Sequence, residues 1–371
     1  MKPTGTCEVF NVAPTQRTIF IVVPSPHPTG PIKGAFALAN ALAPTRRVVL
    51  VYLKDGPGAD ANLDSRVEEV SLSPVPGWLA RLRAYQRLLR GAGGRENVVS
   101  LSMCFSADLL NRYCSGNAVT CSSVRGNVLQ NYRHDYGTLG LFFAFAHLFA
   151  LRSFDRVVAM TEAMATQLNA CTGVKPMIIG NFVDEQALEC FRSTAPCAKG
   201  AFRFVCVGSL TSRKQPTLVL HAIKLLISQG HEVQLDMIGD GPLMERLSAL
   251  IVRDSLKEHV KLHGHIRNPY PLIAGADAFI LSSLSEGVSR AALEALYLGV
   301  PCVLRNVDGN ADLLSDPAAG ELFSGDVDLP RALIKAASRG RARSVKSCLL
   351  PPMFRQSTAA AQYLQFLEAP V

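Results

Sequence analysis

The sequence is short of the features that usually assign a protein quickly. It has one tryptophan, 7% aromatic residues and 18% charged residues, beside 48% hydrophobic ones. With so few aromatics interleaved among its basic residues and no known reader motif, it makes a poor nucleic-acid-binding protein, a rival resting on charge alone. None of the ten cysteines is paired in a CxxC motif. No disulfide framework or zinc site is therefore expected. Cys206 and Cys302 sit inside apolar strand patterns, which suits a reducing compartment. Apolar runs are also short. Ile19–Val23 lacks the length and flanks of a secretory leader, and Leu139–Leu151 is too short to span a bilayer and reads as a buried or interfacial helix.

Positive charge is what the chain has in excess: the formal net charge is +8 and the isoelectric point about 9.0. Charge by itself does not choose among nucleic acid, an anionic membrane surface and phosphorylated small molecules as partners. A length of 371 residues suits two domains, each able to bury a core.

Short Val- and Ile-rich runs alternate with helix-period stretches almost end to end. TIFIVV, RRVVLVYL, VVSLSM, AVTCSSV, RVVAM and PMIIGN form a first series, and FRFVCVG, VQLDMIG, VKLHG, AFILSS and PCVLR a second. The alternation predicts two doubly wound parallel α/β sheets. The expected divisions are a first domain over 1–184, a linker over 185–200, a second domain over 201–345, and a terminal helix in 346–371 that folds back on the first domain. In such sheets ligands gather at the carboxyl ends of strands, against helix N-termini.

The most informative junction is SSLSEGVSRAALEALYLGVP, Ser282–Pro301, which follows the strand AFIL. Ser289 is placed to cap a helix that Gly299 and Pro301 end. Glu286 precedes that helix and Glu294 lies within it. On a continuous helix they would stand about 12 Å apart and roughly 80° around the axis. Two carboxylates so spaced reach opposite ends of an extended ligand, and the backbone N–H groups of Gly287, Val288 and Ser289 between them favour an anion. Hydroxyls at both ends and phosphate in the middle describe a nucleotide-sugar. The plainer alternative makes Glu286 a solvated loop residue and Glu294 a surface one.

EGVSRAALEA resembles the E-x7-E element of the retaining GT-B glycosyltransferases, in particular glycosyltransferase family 4. Four other segments are similar to that family in order and spacing: IIGNFVD (Ile178–Asp184), VGSLTSRKQ (Val207–Gln215), IGDGPLMERL (Ile238–Leu247) and LHGHIRNPYPLIAGADAFILSS. The resemblance implies the GT-B fold, two Rossmann-like domains facing a central cleft, and sugar transfer from a nucleotide-sugar, expected to be a UDP-sugar, with retention of configuration. It implies that Glu286 binds sugar hydroxyls, Glu294 the nucleotide ribose, and Lys214 with Arg213 the donor diphosphate. Gly208, Ser209, Gly239, Gly241 and His265 are the other donor-binding positions it implies. Where the family often has arginine after the glycine of its strand-end loop, this chain has Ser209, and Arg213 is expected to supply that charge.

The first half offers less. Gly30 and Gly34 in PTGPIKGAF lie where backbone approaches a reaction centre. SSVRGNVLQNYRHDYG (Ser122–Gly137) resembles a segment of members that build bacterial polysaccharides, and in it Arg125 and His134 are expected to touch the donor sugar or the acceptor. In WLARLRAYQRLLR, Trp78, Leu82, Tyr85 and Leu89 share one helical face, with Arg83, Arg87 and Arg90 on another, which fits a membrane-surface helix or an ordinary core one. The string DVD at Asp326–Asp328 is read as loop, and no metal or other cofactor is assigned.

The resulting expectation is a glycosyltransferase acting on a glycan or lipid-linked acceptor of bacterial cell-surface polysaccharide or lipopolysaccharide synthesis. It would work in the cytoplasm or at the cytoplasmic face of an inner membrane, with peripheral contact to anionic lipid. Its rivals are a sugar-nucleotide epimerase of the same fold, a basic nucleic-acid-binding protein, and an inactive partner subunit, which the intact Glu286, Glu294 and Lys214 argue against.

Overall fold

The computed structural model describes residues 16–27, 29–56, 63–192, 200–307, 309–343 and 346–370. The first sheet is built from β1 (Thr18–Val23), β2 (Val48–Tyr52), β3 (Val67–Ser71), β4 (Val98–Met103), β5 (Val119–Ser123), β6 (Arg156–Ala159) and β7 (Met177–Ile178). Its helices are α1 (Gly30–Leu42), α2 (Trp78–Gly91), α3 (Phe105–Asn111), α4 (Val128–Leu151) and α5 (Glu162–Thr172), and α6 (Glu185–Glu189) follows. The second sheet comprises β8 (Phe202–Val207), β9 (Val233–Ile238), β10 (Val260–Leu262), β11 (Ala278–Leu281), β12 (Cys302–Arg305) and β13 (Gly320–Phe323). Around it lie α7 (Pro216–Ser228), α8 (Met244–Arg253), α9 (Tyr270–Ala274), α10 (Arg290–Tyr297), α11 (Asn310–Leu313) and α12 (Leu329–Ala342), and α13 (Gln356–Glu368) ends the chain.

The strand orders are β3-β2-β1-β4-β5-β6-β7 and β10-β9-β8-β11-β12-β13, and the paired strands are parallel. Central strands are buried on both faces, which is why they read as unbroken apolar runs; every residue of β2, β4 and β5 is buried. Strand order reverses between β1 and β4 and between β8 and β11. Each reversal opens a crevice beyond the carboxyl ends of the strands, and these crevices are where such sheets bind ligands.

α13 packs on α1, burying Tyr363 and Leu367 in the core of the first sheet. The Tyr363 hydroxyl lies 2.8 Å from Ser123 Oγ, and Arg46 Nε lies 2.5 Å from Glu368 Oε1.

Several local expectations need correction. The edge strands β3 and β13 do not appear in the sequence pattern. β3 reads VEEVS and is mostly exposed, so no apolar run betrays it. The string Asp326–Asp328 is a 3-10 turn, not a loop. Asp328 accepts a hydrogen bond from the Gly325 N–H at 3.1 Å, and Asp326 pairs with Arg305 at 2.7 Å. Of the two readings of α2, the ordinary core helix holds for its Tyr85 and Leu89 face, which is fully buried. α4 kinks at Gly137, whose φ of 61° and ψ of −140° only glycine adopts readily.

Candidate functional site

The two crevices meet in one cavity of about 390 Å³ between the domains. The first turn of α1, following β1, brings Gly30 and Lys33, the loop after β5 brings Arg125, and α4 adds Asn131. From the second domain come Gly208, Arg213 and Lys214 after β8, then Glu286, Gly287, Val288 and Ser289 after β11, with Arg290 and Glu294 on α10.

Local contacts explain why these segments converge. The Ser289 hydroxyl accepts the Ala292 N–H at 3.4 Å and caps α10. Gly299 ends the helix at φ 79°, where a Cβ would lie 2.8 Å from the Ser347 carbonyl oxygen. The Arg213–Lys214 turn is bound to the loop carrying Glu286 in three places. Leu284 N–H donates to Arg213 O at 2.9 Å, Arg213 Nη1 to Ser285 O at 2.8 Å, and Ser282 Oγ to Lys214 O at 2.9 Å. Lys214 Nζ then forms an ion pair with Glu286 Oε1.

Both glutamates are buried, Glu286 to 8% and Glu294 to 5% relative exposure, so neither is the solvated residue of the plainer reading. Arg290 Nη2 stands 3.8 Å from Glu294 Oε1, and its Nη1 donates to Phe182 O at 2.7 Å. Burial pushes the Arg290 guanidinium below its ordinary value, and the Glu294 carboxylate opposes that shift. Five cationic side chains (Lys33, Arg125, Arg213, Lys214, Arg290) and two carboxylates line the cavity, so it favours a ligand carrying more than one negative charge. The amino end of α10 faces the same space and adds its dipole.

Asn181 ties the two halves of the cavity together. Its Nδ2 donates to Val288 O at 3.0 Å, and its Oδ1 accepts from Arg125 Nη1 at 3.1 Å and from Phe182 N–H at 3.1 Å. Gly287 packs against the first domain so closely that a Cβ there would lie 3.0 Å from Arg125 O and 2.4 Å from Met160 Cε.

Of the residues expected from sequence, Glu286, Glu294, Lys214, Arg213, Gly287, Val288, Ser289, Gly208, Gly30 and Arg125 line the cavity. Five others do not. Ser209 and His265 are exposed on loops outside it. Gly239 and Gly241 act behind it, since a Cβ on Gly239 would lie 1.9 Å from Gly208 O and one on Gly241 2.6 Å from Leu210 O. Gly34 makes room for Arg125, whose Nη2 would lie 3.0 Å from a Cβ there. The side chain of His134 lies outside the described residues. Lys33, Asn131, Asn181 and Arg290 line the cavity without having been singled out. For Arg290 and Asn181 a signal existed: each stands inside a motif that carries the family resemblance. Among the described residues there is no cluster of three or more His, Cys, Asp or Glu suited to a metal.

Comparison with known proteins bears on this architecture. Residues 201–339 match the family model for Glycosyl transferases group 1. The UDP-Gal:alpha-D-GlcNAc-diphosphoundecaprenol alpha-1,3-galactosyltransferase of Escherichia coli is 34% identical over 135 residues, 35% of this chain and 35% of that protein. The amylovoran biosynthesis glycosyltransferase AmsK of Erwinia amylovora is 30% identical over 182 residues, 45% of this chain and 44% of that one. The chain thus spans about a quarter to a half of the length of the curated relatives it matches. Among solved structures, HepE of Anabaena in complex with UDP and glucose superposes with a TM-score of 0.73 at 18% identity, covering 95% of this chain and 99% of that one. Sucrose-phosphate synthase of Thermosynechococcus elongatus gives 0.74 at 15% identity, covering 95% and 98%. Residues 201–339 therefore carry the sequence of the glycosyl transferases group 1, and the chain as a whole has the two-domain GT-B fold.

Proposed function

We propose that the protein is a family 4 glycosyltransferase. It would transfer a sugar from a nucleotide-sugar, expected to be a UDP-sugar, to a glycan or lipid-linked acceptor with retention of configuration. The observation that carries this reading is the cavity itself. Two buried carboxylates, Glu286 and Glu294, flank the amino end of α10, with Lys214 and Arg213 beside it.

In this reading Glu294 accepts hydrogen bonds from the ribose hydroxyls at the inner end of the donor. The diphosphate lies against Lys214, Arg213 and the N-terminal end of α10, where cations and backbone dipoles stabilise the charge that grows as the glycosidic bond breaks. Glu286 holds hydroxyls of the transferred sugar, and its ion pair fixes Lys214 at the phosphate end of that sugar. Retention follows if the acceptor hydroxyl approaches on the face the diphosphate leaves, its proton passing to a departing phosphate oxygen. Arg125, Lys33 and Gly30 on the first-domain wall face the acceptor. The reaction so written needs no metal or other cofactor.

Relatives support the acceptor class. Those from E. coli and Campylobacter jejuni are named for diphospho-undecaprenol-linked sugars, and others for amylovoran or lipopolysaccharide core biosynthesis. A lipid-linked acceptor is held at a bilayer, so location at the cytoplasmic face of an inner membrane is part of the same proposal. Among the described residues no helix is long and apolar enough to cross a membrane.

Incubation of the purified protein with UDP-sugars, with and without a sugar-diphosphate-lipid acceptor, tests the reading. Acceptor-dependent release of UDP with an α-linked product is expected. UDP release together with an epimerised sugar and no acceptor would instead indicate an epimerase. Absence of any turnover or binding across UDP-, GDP- and ADP-sugars would refute it.

A further inference from the structure

A run of exposed apolar side chains outside the cavity lies on α4. Past the Gly137 kink, Leu139, Phe142, Phe145 and Phe149 recur at helical spacing and are 74%, 72%, 61% and 63% exposed. The opposite face is core, with Ala144 and Leu148 buried. An exposed stripe of this size is not ordinary surface.

The stripe continues onto neighbouring elements. The Arg112 guanidinium lies 5.7 Å from the Phe149 ring centroid and 5.0 Å from that of Tyr113. Trp78, at the start of α2, stands edge-on to Tyr113 at 5.5 Å. Gln86 of α2 donates to Tyr113 O at 2.8 Å. Arg83 and Arg90, three before and four after Gln86, are exposed along that same side of the helix. The sequence has no Asp or Glu in 78–91 or in 138–154. Rings and leucines thus form the centre of one surface, and arginines its rim.

Charge selects the occupant. A symmetric dimer through this face would set its positive rim against the same rim on a second copy. An anionic bilayer takes both parts, with rings at the acyl boundary and guanidinium groups at headgroup phosphates. We propose that the apolar face of α4, extended through Arg112 and Tyr113 to Trp78, is a peripheral docking surface for an anionic lipid bilayer. α4 also supplies Asn131 to the cavity wall, on the far side of the Gly137 kink from the stripe. The inference deepens the lipid-linked-acceptor reading, yet vesicle binding needs no turnover and the two can fail separately.

The test is sedimentation of the full chain with phosphatidylglycerol–phosphatidylcholine vesicles and with phosphatidylcholine vesicles, at low and high salt. Wild type should pellet with the anionic vesicles, less so at high salt. Phe142→Gln/Phe145→Gln, at exposed positions and with unchanged melting, should weaken partition about 100-fold, roughly tenfold per ring withdrawn from the interface. Arg83→Gln/Arg90→Gln should weaken it about fivefold per charge and only on anionic vesicles. Three results would overturn the inference: wild type left in the supernatant at low salt, a phenylalanine variant that pellets like wild type, or a wild-type dimer in light scattering that the phenylalanine variant converts to monomer. Transfer to a water-soluble acceptor reports on the catalytic reading alone and should be the same in wild type and both variants.

Discussion

Replacing Asn181 by leucine keeps the side chain's branching and number of heavy atoms and removes its hydrogen-bonding groups at the seam between the domains. Three bonds go at once: Nδ2 to Val288 O at 3.0 Å, Arg125 Nη1 to Oδ1 at 3.1 Å, and Phe182 N–H to Oδ1 at 3.1 Å. Asn181 is only 5% exposed, so water cannot replace them without rearrangement. A bond to a charged group contributes about 1.5–3 kcal/mol, and an orphaned buried carbonyl costs about 1–3 kcal/mol. The sum for Asn181→Leu is therefore about 2.5–6 kcal/mol. With an unfolding entropy near 2.1 cal/mol/K per residue, a 371-residue chain loses roughly 3–8 °C of melting temperature. Thermal melts of Asn181→Leu, Arg125→Leu and the double variant form a cycle, and the coupling expected for the Arg125–Asn181 bond is about 1.5–3 kcal/mol. A shift under about 1 °C, or strictly additive singles, would refute the account of the seam.

Glu294→Gln should raise donor KM with little change in kcat, because a ribose contact is alike in ground and transition states, whereas Glu286→Gln should chiefly lower kcat; steady-state kinetics showing the reverse would break the assignment. Lys214→Ala should lower kcat about 10²–10³-fold, the usual cost of one charge-stabilising donor, with single-turnover kinetics as the check. Gly239→Ala would place a Cβ 1.9 Å from Gly208 O at a φ of 136°, so the variant should melt well below wild type and bind donor poorly. Burial alone would raise the Asp155 pKa, but Arg95 at 2.7 Å and the Thr120 N–H at 2.8 Å outweigh it and hold it below the ordinary range. Its contribution to stability is thus full above about pH 4 and lost as pH falls through the lowered value. Melting curves between pH 5 and 3 should accordingly fall less steeply for Asp155→Asn than for wild type.

Central strands were legible in the sequence because burial on both faces leaves an unbroken apolar run, as in Val98–Met103. Edge strands were not, since VEEVS has a solvated face and depends on β2 for its pairing. The carboxylate pair was legible as a spacing, Glu286 before a cap and Glu294 after it, and the structure adds that both are buried. Lys33, Asn131 and Asn181 were not, because their place at the cavity follows from how one domain meets the other. The motif points to Gly239 as a donor-binding position, and the structure adds that it lies behind Gly208 as a spacer, away from the cavity lining. Tyr85 and Trp78 share a helical face in the sequence, and only the packing of α2 shows that one is core and the other surface.

The central claim is that the interdomain cavity holds a nucleoside diphosphate between Glu294 and the Lys214–Arg213 turn. Calorimetric titration of UDP, GDP, ADP and UMP into wild type, Glu294→Gln and Lys214→Ala tests it without requiring the acceptor. One nucleoside diphosphate, expected to be UDP, should bind wild type, and UMP should bind more weakly. Each variant should lose about tenfold or more in affinity, as expected when a hydrogen bond to a charged group goes. Failure of every nucleoside diphosphate to bind wild type, or affinities unchanged in both variants, would contradict the account.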